Sequence, residues 1–407
     1  MERLSNGIMA TVPLGVYISV PFCRSKCSYC NFASDVFSRA VFERYVDRVC
    51  SDIANAERDA NQMGGKFERE VDSIYLGGGT PTVLEPAQLQ RLFDAVRVRF
   101  SVSPEAEVTV ECAPGTLSSE LLQCLAHCGV NRVSLGVQSF IDREAAAVGR
   151  LHKQCTVLDD IARLRAAGIS NINIDLIAGL PHQIAESWQE SVQEVIATEV
   201  PHASVYMLEV DDDSRLGREL IAGGTRYHAH FVPNDDATAD FYLAACETLS
   251  AAGVPQYEIS NFSRPGFESR HNLKYWTRQP YLGFGVDAHS MLLSASNAVR
   301  LARGDKLETY VSGSPLQKTT VSRDAALEET FFLGLRLNRG VDLARIAQQF
   351  GDAALLPLQP IIADLVKQEL LERSDNSIRL SKRGRLLSNE VFQHFLSPAP
   401  RSVPLLL

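Results

Sequence analysis

Six short apolar runs alternate with helix-like segments over the first 210 residues, and this repeat constrains the fold more than any other feature. The runs cover residues 16–20, 73–76, 108–112, 132–138, 172–177 and 204–210. Helical patterns are predicted between them, and Gly129 and Gly168 are typical helix C-terminal signals. Strands separated by helices indicate βαβ units around a parallel sheet. Because six units are too few for a closed eight-fold barrel, the pattern predicts an α/β fold with a partial, TIM-like (β/α)6 barrel.

The alternation ends after residue 211, and a second pattern follows towards the C-terminus. Helical patterns are predicted over 235–252, 323–338, 343–350 and 360–371, with a short strand at 377–381. The turn signal Gly313-Ser314-Pro315 indicates a boundary. We therefore expect a barrel domain with a C-terminal extension over residues 1–312. A small, mostly helical domain of winged-helix type is expected over 313–407.

Composition excludes several classes of protein. The 407 residues are 45% apolar and 22% charged, which is ordinary for a globular protein. A net charge of -9 lacks the basic footprint of a nucleic-acid binder. Residues 8–22 are fairly apolar, but Pro13 and Pro21 interrupt them, so they fit a signal peptide poorly, and no run is long enough to span a bilayer. We expect a cytoplasmic protein with no nucleic-acid partner and no transmembrane segment.

Three cysteines lie in one short loop directly after the first strand: Cys23, Cys27 and Cys30. Thiolates this close in sequence suit iron–sulfur or zinc ligation. A structural zinc site takes four protein ligands, and no second CxxC pair or HxxxH follows to complete one. Three ligands on a cubane cluster would leave one iron open for a ligand. A zinc loop and chance clustering remain the alternatives at this point. The loop follows the carboxyl end of a strand, where chemistry collects in barrels of this kind.

The other cysteines call for a structural interpretation. Nine cysteines is an odd number, and a reducing compartment is the simpler setting for them than a disulfide framework. Cys124 and Cys128 are spaced to share one helix face. Because free cysteine is often buried, they are predicted to act as small hydrophobic residues and not as a second metal site.

The spacing CxxxCxxC resembles the signature of the radical S-adenosylmethionine superfamily. That resemblance implies a 4Fe-4S cluster on the three cysteines, with S-adenosylmethionine bound at the open iron. It also implies cofactor contacts at successive strand ends. Gly78, Gly79 and Thr80 would meet the methionine amino group, Glu111 the ribose and Arg150 the carboxylate, and the remaining expected contacts are Tyr17, Gln138 and Asp175. Taken singly, each of these residues is better explained as a surface or loop residue, and only their joint position at successive strand ends indicates one site.

Longer segments resemble the oxygen-independent coproporphyrinogen III oxidase family over nearly the whole chain. They are Tyr17-Ile-Ser-Val-Pro-Phe-Cys23, Tyr75-Leu-Gly-Gly-Gly-Thr-Pro81, Leu135-Gly-Val-Gln-Ser139 and Leu151-His152. The oxidases themselves carry a fourth cysteine two residues after the third, where this chain has Phe32. Phe32 and Tyr29 resemble the heme-chaperone branch instead, so Phe32 is included among the expected cofactor contacts.

A second marker of that branch is His271-Asn-Leu-Lys-Tyr-Trp276, which matches the pattern HNxxYW. The resemblance implies that His271 is an axial ligand of heme, because imidazole is a common ligand of heme iron. From the residues alone, a loop histidine held by hydrogen bonds, with Trp276 filling core, is the alternative interpretation.

The expected function is therefore that of a heme chaperone that binds a 4Fe-4S cluster, S-adenosylmethionine and heme. Its expected partners are heme-acceptor proteins, respiratory ones among them, and an electron donor. The alternative is an oxygen-independent coproporphyrinogen III oxidase. Ser19, Ala178 and Asp287 depart from the family pattern, where histidine, tyrosine and glycine are usual, and they leave the substrate contacts open.

Overall fold

Six parallel strands form a partial barrel in the computed structural model, which describes residues 12–294 and 297–396. Each strand pairs in parallel with the next one along the chain. The predicted α/β fold with a partial (β/α)6 barrel is confirmed. The strands are β1 (Leu14–Val20), β2 (Glu70–Gly78), β3 (Ser101–Cys112), β4 (Arg132–Gln138), β5 (Asn171–Ala178) and β6 (His202–Met207).

Helices cover the outer face of these strands. Alternate residues of a strand point to opposite faces, so Val16, Ile18 and Val20 of β1 all point outwards, where they are fully buried in the main hydrophobic core. The covering helices are α1 (Phe42–Ala54), α2 (Ala56–Gln62), α3 (Pro86–Arg99), α4 (Ser119–His127), α5 (Asp142–Ala147), α6 (Gln154–Ala166) and α7 (Ala185–Ala197), with 3-10 turns at Arg39–Val41 and Pro81–Val83.

Helix α4 illustrates how local sequence sets the element bounds. The Ser118 hydroxyl accepts a hydrogen bond from the Leu121 amide at 3.1 Å and so caps the first turn. Gly129 follows the helix with a φ of 70°, a left-handed conformation that costs glycine little. The helix that the Gly129 signal predicts between the third and fourth strands is therefore present, over Ser119–His127.

The large sheet extends beyond the barrel at both edges and has twelve strands within the described residues, in the order β12-β11-β10-β9-β1-β2-β3-β4-β5-β6-β8-β7. These outer strands have only three to five residues and were not predicted from the sequence. They are β7 (Gln256–Glu258), β8 (Asn261–Ser263), β9 (Tyr281–Phe284), β10 (His289–Leu293), β11 (Ala298–Ala302) and β12 (Gln317–Val321). The helices of this region are α8 (Arg215–Ala222), α9 (Asp235–Ala251), α10 (Arg270–Trp276) and α11 (Leu307–Ser312), with a 3-10 turn at Ala229–Phe231.

The C-terminal part has its own small sheet, of strand order β13-β15-β14, and its own core, in which Phe331, Ile362, Ile378 and Val391 are fully buried. Its elements are α12 (Arg323–Gly334), β13 (Val341–Asp342), α13 (Leu343–Phe350), α14 (Asp352–Leu355), α15 (Gln359–Lys367), β14 (Leu371–Ser374), β15 (Ser377–Leu380), α16 (Lys382–Leu386) and α17 (Ser388–Gln393), with a 3-10 turn at Leu356–Leu358. Because β12 still pairs with β11 of the large sheet, the domain boundary at residues 312 and 313 stays a prediction.

Within residues 12–294 and 297–396, none of the helices combines the length and the apolar character that crossing a bilayer requires. The apolar stretch 8–22 lies partly outside the described residues. Its described portion includes β1, which is an inner strand of the sheet.

The inner face of the barrel is polar. Asp175 accepts hydrogen bonds from the Ser134 hydroxyl at 3.0 Å and from Asn173 Nδ2 at 2.7 Å, and Asn173 Nδ2 also donates to the Ser204 hydroxyl at 3.0 Å. Closed barrels of this class are usually filled by branched apolar side chains. Here the polar interior instead opens into a cleft at the carboxyl ends of the strands.

Candidate functional site

The cysteine loop follows β1 and is held in shape by its own backbone. The Cys23 amide donates to the Asp35 carbonyl, and the Asp35 amide donates to the Pro21 carbonyl, both at 3.0 Å. The Lys26 ammonium donates a hydrogen bond to the Ser34 carbonyl at 2.7 Å. These contacts close the loop on itself, so that Cys23, Cys27 and Cys30 all line one cleft of about 590 Å³.

The three thiols are free and have only weak partners. Thr80 Oγ1 donates to Cys23 Sγ at 3.9 Å, and Cys30 Sγ lies 3.9 Å from the Ser34 hydroxyl. Burial raises the pKa of the Cys23 and Cys30 thiols above the usual value, because the charged form loses its hydration. The loop therefore presents three sulfur atoms to the cleft without strong internal hydrogen bonds.

The glycine-rich turn after β2 contacts the cysteine loop through its backbone. Gly79 donates to the Val20 carbonyl at 2.8 Å and Thr80 donates to the Phe22 carbonyl at 2.7 Å. A Cβ at Gly79 would lie 2.8 Å from both of those carbonyl oxygens. Glycine is thus required at position 79 because the turn packs closely against the backbone at Val20 and Phe22. From the sequence alone, the glycines of this turn were expected to contact a ligand. Gly78, Gly79 and Thr80 line the cleft, and their contact with a cofactor stays a prediction.

Glu111 lies at the end of β3 and faces the cleft. Its carboxylate accepts hydrogen bonds from the Tyr75 hydroxyl at 2.8 Å and from the Gly78 amide at 3.0 Å. Burial raises the pKa of Glu111 to about 7, although both hydrogen bonds favour the ionised form. Asp175, on β5, also lines the cleft, and burial raises its pKa as well. The site therefore contains two carboxyl groups that are held in place but poorly hydrated.

Arg150 connects the cysteine loop to the barrel wall. Its Nη1 lies 3.6 Å from Cys27 Sγ and its Nη2 donates to the Gly136 carbonyl. Gln138, two residues beyond Gly136, has a φ of 70° and sits where the pairing of β4 with β5 shifts register. Both side chains line the cleft. The structure thus places these two residues beside the cysteines, where the sequence expected a cofactor.

Phe32 and Tyr17 have different positions. Phe32 lines the cleft and is 65% exposed, so its ring covers no core. Tyr17 is not part of the cleft wall in the described structure. Its ring packs near those of Tyr75 and His271, with centroid distances of 6.2 and 6.4 Å. A cofactor at the cysteines would reach Phe32 directly but would meet Tyr17 only through the turn at Gly78.

His271 lies apart from the cysteines. The alternative interpretation, a histidine held by hydrogen bonds, had placed it in a loop, but it lies on α10, which packs against the start of β1 and β2 at Gly15 and Ser73. The side chain is 1% exposed, Nδ1 lies 3.0 Å from the Ser73 hydroxyl, and Nε2 lies 2.8 Å from the Tyr275 hydroxyl. Burial lowers the pKa of His271 to about 3, so the ring is neutral. Neither ring nitrogen is free for heme iron in this conformation, and the ligand assignment stays a prediction.

Sequence reasoning missed part of the cleft wall. Arg132 on β4, Tyr206 on β6, and Arg336 and Arg385 of the C-terminal part also line it. Arg132 has the same two-residue phase as Gln138, the predicted contact on its strand, so alternation could have indicated it. No residue of β6 was predicted to line the site, so alternation offered no such reference for Tyr206. Arg336 and Arg385 carry no such signal, because only the tertiary fold brings the C-terminal part to the barrel.

Comparison with known proteins agrees with this geometry. The family model of the radical SAM superfamily matches residues 17–195, and that of the HemN C-terminal domain matches residues 321–387. The heme chaperone HemW of Bacillus subtilis is 34% identical over 387 residues, which cover 93% of this chain and 98% of that protein. The chain belongs to the HemW family.

Other members and neighbours extend the likeness. HemW of Lactococcus lactis is 33% identical over 392 residues, covering 95% of this chain and 98% of that protein. The solved coproporphyrinogen III oxidase HemN of Escherichia coli superposes with a TM-score of 0.80 at 24% identity, covering 94% of this chain and 90% of that one. HemN thus shares the fold, while the family is that of HemW. The predicted membership of the radical S-adenosylmethionine superfamily, close to HemW, is confirmed.

Proposed function

We propose that this chain is a heme chaperone of the HemW type, which carries a 4Fe-4S cluster, binds S-adenosylmethionine and heme, and delivers heme to acceptor proteins. The single observation that carries this proposal is the convergence of three free cysteines, from one loop, on a cleft that also holds Arg150 and Glu111. Membership of the HemW family supports the heme part of the proposal, because the named relatives are heme chaperones.

The donor set fits a cluster. Three thiols face the cleft, and Phe32 stands where the oxidase pattern would place a fourth. On a cubane each thiolate binds a separate iron atom. Cys23, Cys27 and Cys30 would therefore hold three irons and leave the fourth open.

S-adenosylmethionine is proposed to bind beside that open iron. A reduced cluster of this kind supplies an electron that cleaves the cofactor when both are bound. A methionine ammonium can only donate hydrogen bonds, so at the turn of Gly78, Gly79 and Thr80 it would meet carbonyl oxygens. The amides of that turn donate to this chain's own acceptors. Glu111 would accept from ribose hydroxyls, and Arg150 would pair with the carboxylate. Gln138 and Asp175 complete the polar wall.

Heme is proposed to bind in the same cleft. The cleft has a volume of about 590 Å³, within the range of roughly 300–1,000 Å³ found for sites that hold one small molecule. For His271 to bind the heme iron, one of the two hydrogen bonds made by its ring nitrogens would have to break. His271 is therefore a less favoured heme site than the cleft in this conformation. The acceptor proteins and the electron donor are further partners in this proposal.

Anaerobic reconstitution followed by separate incubation with heme and with coproporphyrinogen III tests the function. The expected result is one heme per chain, seen as a Soret band, its transfer to an apo-hemoprotein, and no conversion of coproporphyrinogen. Multiple turnovers of coproporphyrinogen without stoichiometric heme binding would contradict the proposal and favour the oxidase. The His271→Gln variant belongs in the same series. An unchanged Soret band supports binding in the cleft, whereas its loss with an intact cluster supports ligation by His271.

A further inference from the structure

The part of the cleft wall formed by the C-terminal part contains two arginines, Arg336 just after α12 and Arg385 on α16. The segment at Arg336 is fixed by its backbone, because the Arg336 carbonyl accepts from the Ile259 amide at 3.1 Å and the Asn338 amide donates to the Tyr257 carbonyl at 2.9 Å. The position of Arg336 in the wall is therefore set by pairing with the edge of the large sheet.

The guanidinium of Arg336 contacts an aromatic ring but is incompletely paired. Its carbon lies 4.3 Å from the centroid of the Trp276 ring, a cation–π contact that holds the group in place. The side chain is 12% exposed, and Nε is buried without a hydrogen-bond partner among the described residues. A buried donor without a partner is costly, so this site gains from an incoming acceptor.

Glu258 is the nearest competitor for Arg336. Its Oε2 lies 3.9 Å from Arg336 Nη2, which is too long for a hydrogen bond. Glu258 takes its hydrogen bonds through Oε1, from the Ser260 amide at 3.2 Å and from Asn261 Nδ2. Glu258 thus offsets the charge of Arg336 without occupying its donors.

Arg385 is similarly available. Within the described structure its side chain donates one hydrogen bond, from Nη1 to the Leu380 carbonyl at 3.3 Å. Glu390 lines the same part of the cleft, and no ion pair joins it to Arg385 among the residues described. Arg383, on the same short helix, is exposed and lies outside the cleft wall, which makes it a matched control.

We infer that Arg336 and Arg385 bind the propionate carboxylates of the tetrapyrrole. This inference rests on the proposed function. Heme carries two carboxylates on one edge of an apolar disc, and the planar fork of arginine binds a carboxylate through two parallel hydrogen bonds. The methionine carboxylate of S-adenosylmethionine has the same chemistry, but it is assigned to Arg150, so the test has to separate the two sources.

The test compares heme with its dimethyl ester, which keeps the disc and the iron but lacks the charges. Both are titrated into anaerobically reconstituted wild type and into Arg336→Gln, Arg385→Gln and Arg383→Gln. The wild type is expected to bind the diacid roughly 10- to 100-fold more tightly than the ester, as charged hydrogen bonds imply. Arg336→Gln and Arg385→Gln should each lose most of that preference, while Arg383→Gln keeps it.

Cluster content and S-adenosylmethionine affinity serve as further readouts and are expected to stay unchanged in all three variants. A merely structural role would weaken the diacid and the ester equally, which would overturn the inference. Loss of S-adenosylmethionine affinity with a retained diacid preference would also overturn it. If the Arg336→Gln protein does not fold, the preference of Arg385→Gln for heme over its dimethyl ester decides the test. Heme binding by the wild type without discrimination of the ester contradicts the inference alone, and absence of heme binding contradicts the proposed function and the inference with it.

Discussion

The two ends of the barrel contrast in how their polar groups are used. At the carboxyl end, three thiols line an open cleft, and Arg150, Ser34 and Thr80 contact them at 3.6–3.9 Å. At the amino end, α10 closes the barrel, and its polar side chains His271 and Lys274 are almost fully buried. Both ends carry a motif that the sequence singled out. The difference shows that a motif predicts chemistry only where its atoms are left without partners in the fold.

The amino end is tied to the barrel by many contacts of the chain itself. Glu107 on β3 accepts from the amides of Arg270 and His271 at 3.0 and 3.1 Å, at the start of α10. The Lys274 ammonium lies 2.7 Å from an Asp72 oxygen and donates to the Pro13 carbonyl at 2.8 Å. Gly15 leaves the space that α10 needs, because a Cβ there would lie 2.9 Å from Lys274 and 3.1 Å from His271. We therefore interpret α10 as a structural closure.

The largest expected effect is at the carboxyl end. Cys27→Ala should abolish the cluster, because a cubane with two thiolates has lost one of its three anchors. Iron and sulfide analysis after anaerobic reconstitution should fall from about four of each per chain towards none. Cys124→Ala and Cys128→Ala are the controls, since Cys124 on α4 and Cys128 directly after it have sulfurs 4.0 Å apart, outside the cleft wall. A full cluster in the Cys27→Ala protein would show that the ligands are assigned wrongly.

At the amino end, Lys274→Met should mainly reduce stability. Removing one partner of a buried pair costs about 3–5 kcal/mol, and the lower part of that range applies because the Asp72 side chain is 34% exposed and can be hydrated. Chemical unfolding measures the change, and cluster content should stay at the wild-type level. An unchanged unfolding free energy, or loss of the cluster from a folded variant, would contradict the purely structural role of the amino end.

Arg150→Ala should weaken the binding of S-adenosylmethionine by roughly 2–5 kcal/mol, the usual cost of truncating a desolvated charge pair. Isothermal titration of the reconstituted protein checks this, with Arg163→Ala on α6 as the control because that side chain lies outside the cleft wall. Equal affinity in the Arg150→Ala and wild-type proteins would mean that the carboxylate is held elsewhere.

The amino end should also show a pH dependence of stability. The pKa of His271 is about 3 in the folded chain and 6.5 when unfolded. A lowered pKa gives stability that is present above pH 6.5 and is lost as the pH falls towards 3, because only the unfolded chain then takes up the proton. Between pH 7.5 and 5 the loss is about 2 kcal/mol.

His271→Gln should remove that part of the pH dependence, since glutamine does not titrate. Urea unfolding of both proteins across this range measures it. If the ring is buried and neutral as described, the unfolding free energies of the two proteins, plotted against pH, should converge as the pH falls. Parallel plots would show that His271 is exposed to solvent. The amino end would then no longer differ from the carboxyl end in the burial of its polar groups.

Local patterns account for what could be predicted from the sequence. The six inner strands, α4 and the cysteine loop follow from alternation, turn residues and spacing, all of which act within about 20 residues. The helix that carries His271 has only seven residues, and its burial depends on Ser73 and Glu107, which are far away in the sequence. Arg336 likewise reaches the cleft only through pairing with residues near 258. Such long-range contacts leave no local pattern.

Paramagnetic resonance of the reduced, anaerobically reconstituted protein tests the central claim most directly, namely that three cysteines at the carboxyl end hold a cluster with one open iron. Spectra are recorded without and with saturating S-adenosylmethionine. We predict the signal of a 4Fe-4S cluster whose shape changes on addition of the cofactor, as direct coordination of the open iron would require. A cluster signal that stays identical at saturation, with binding confirmed independently, would contradict the claim.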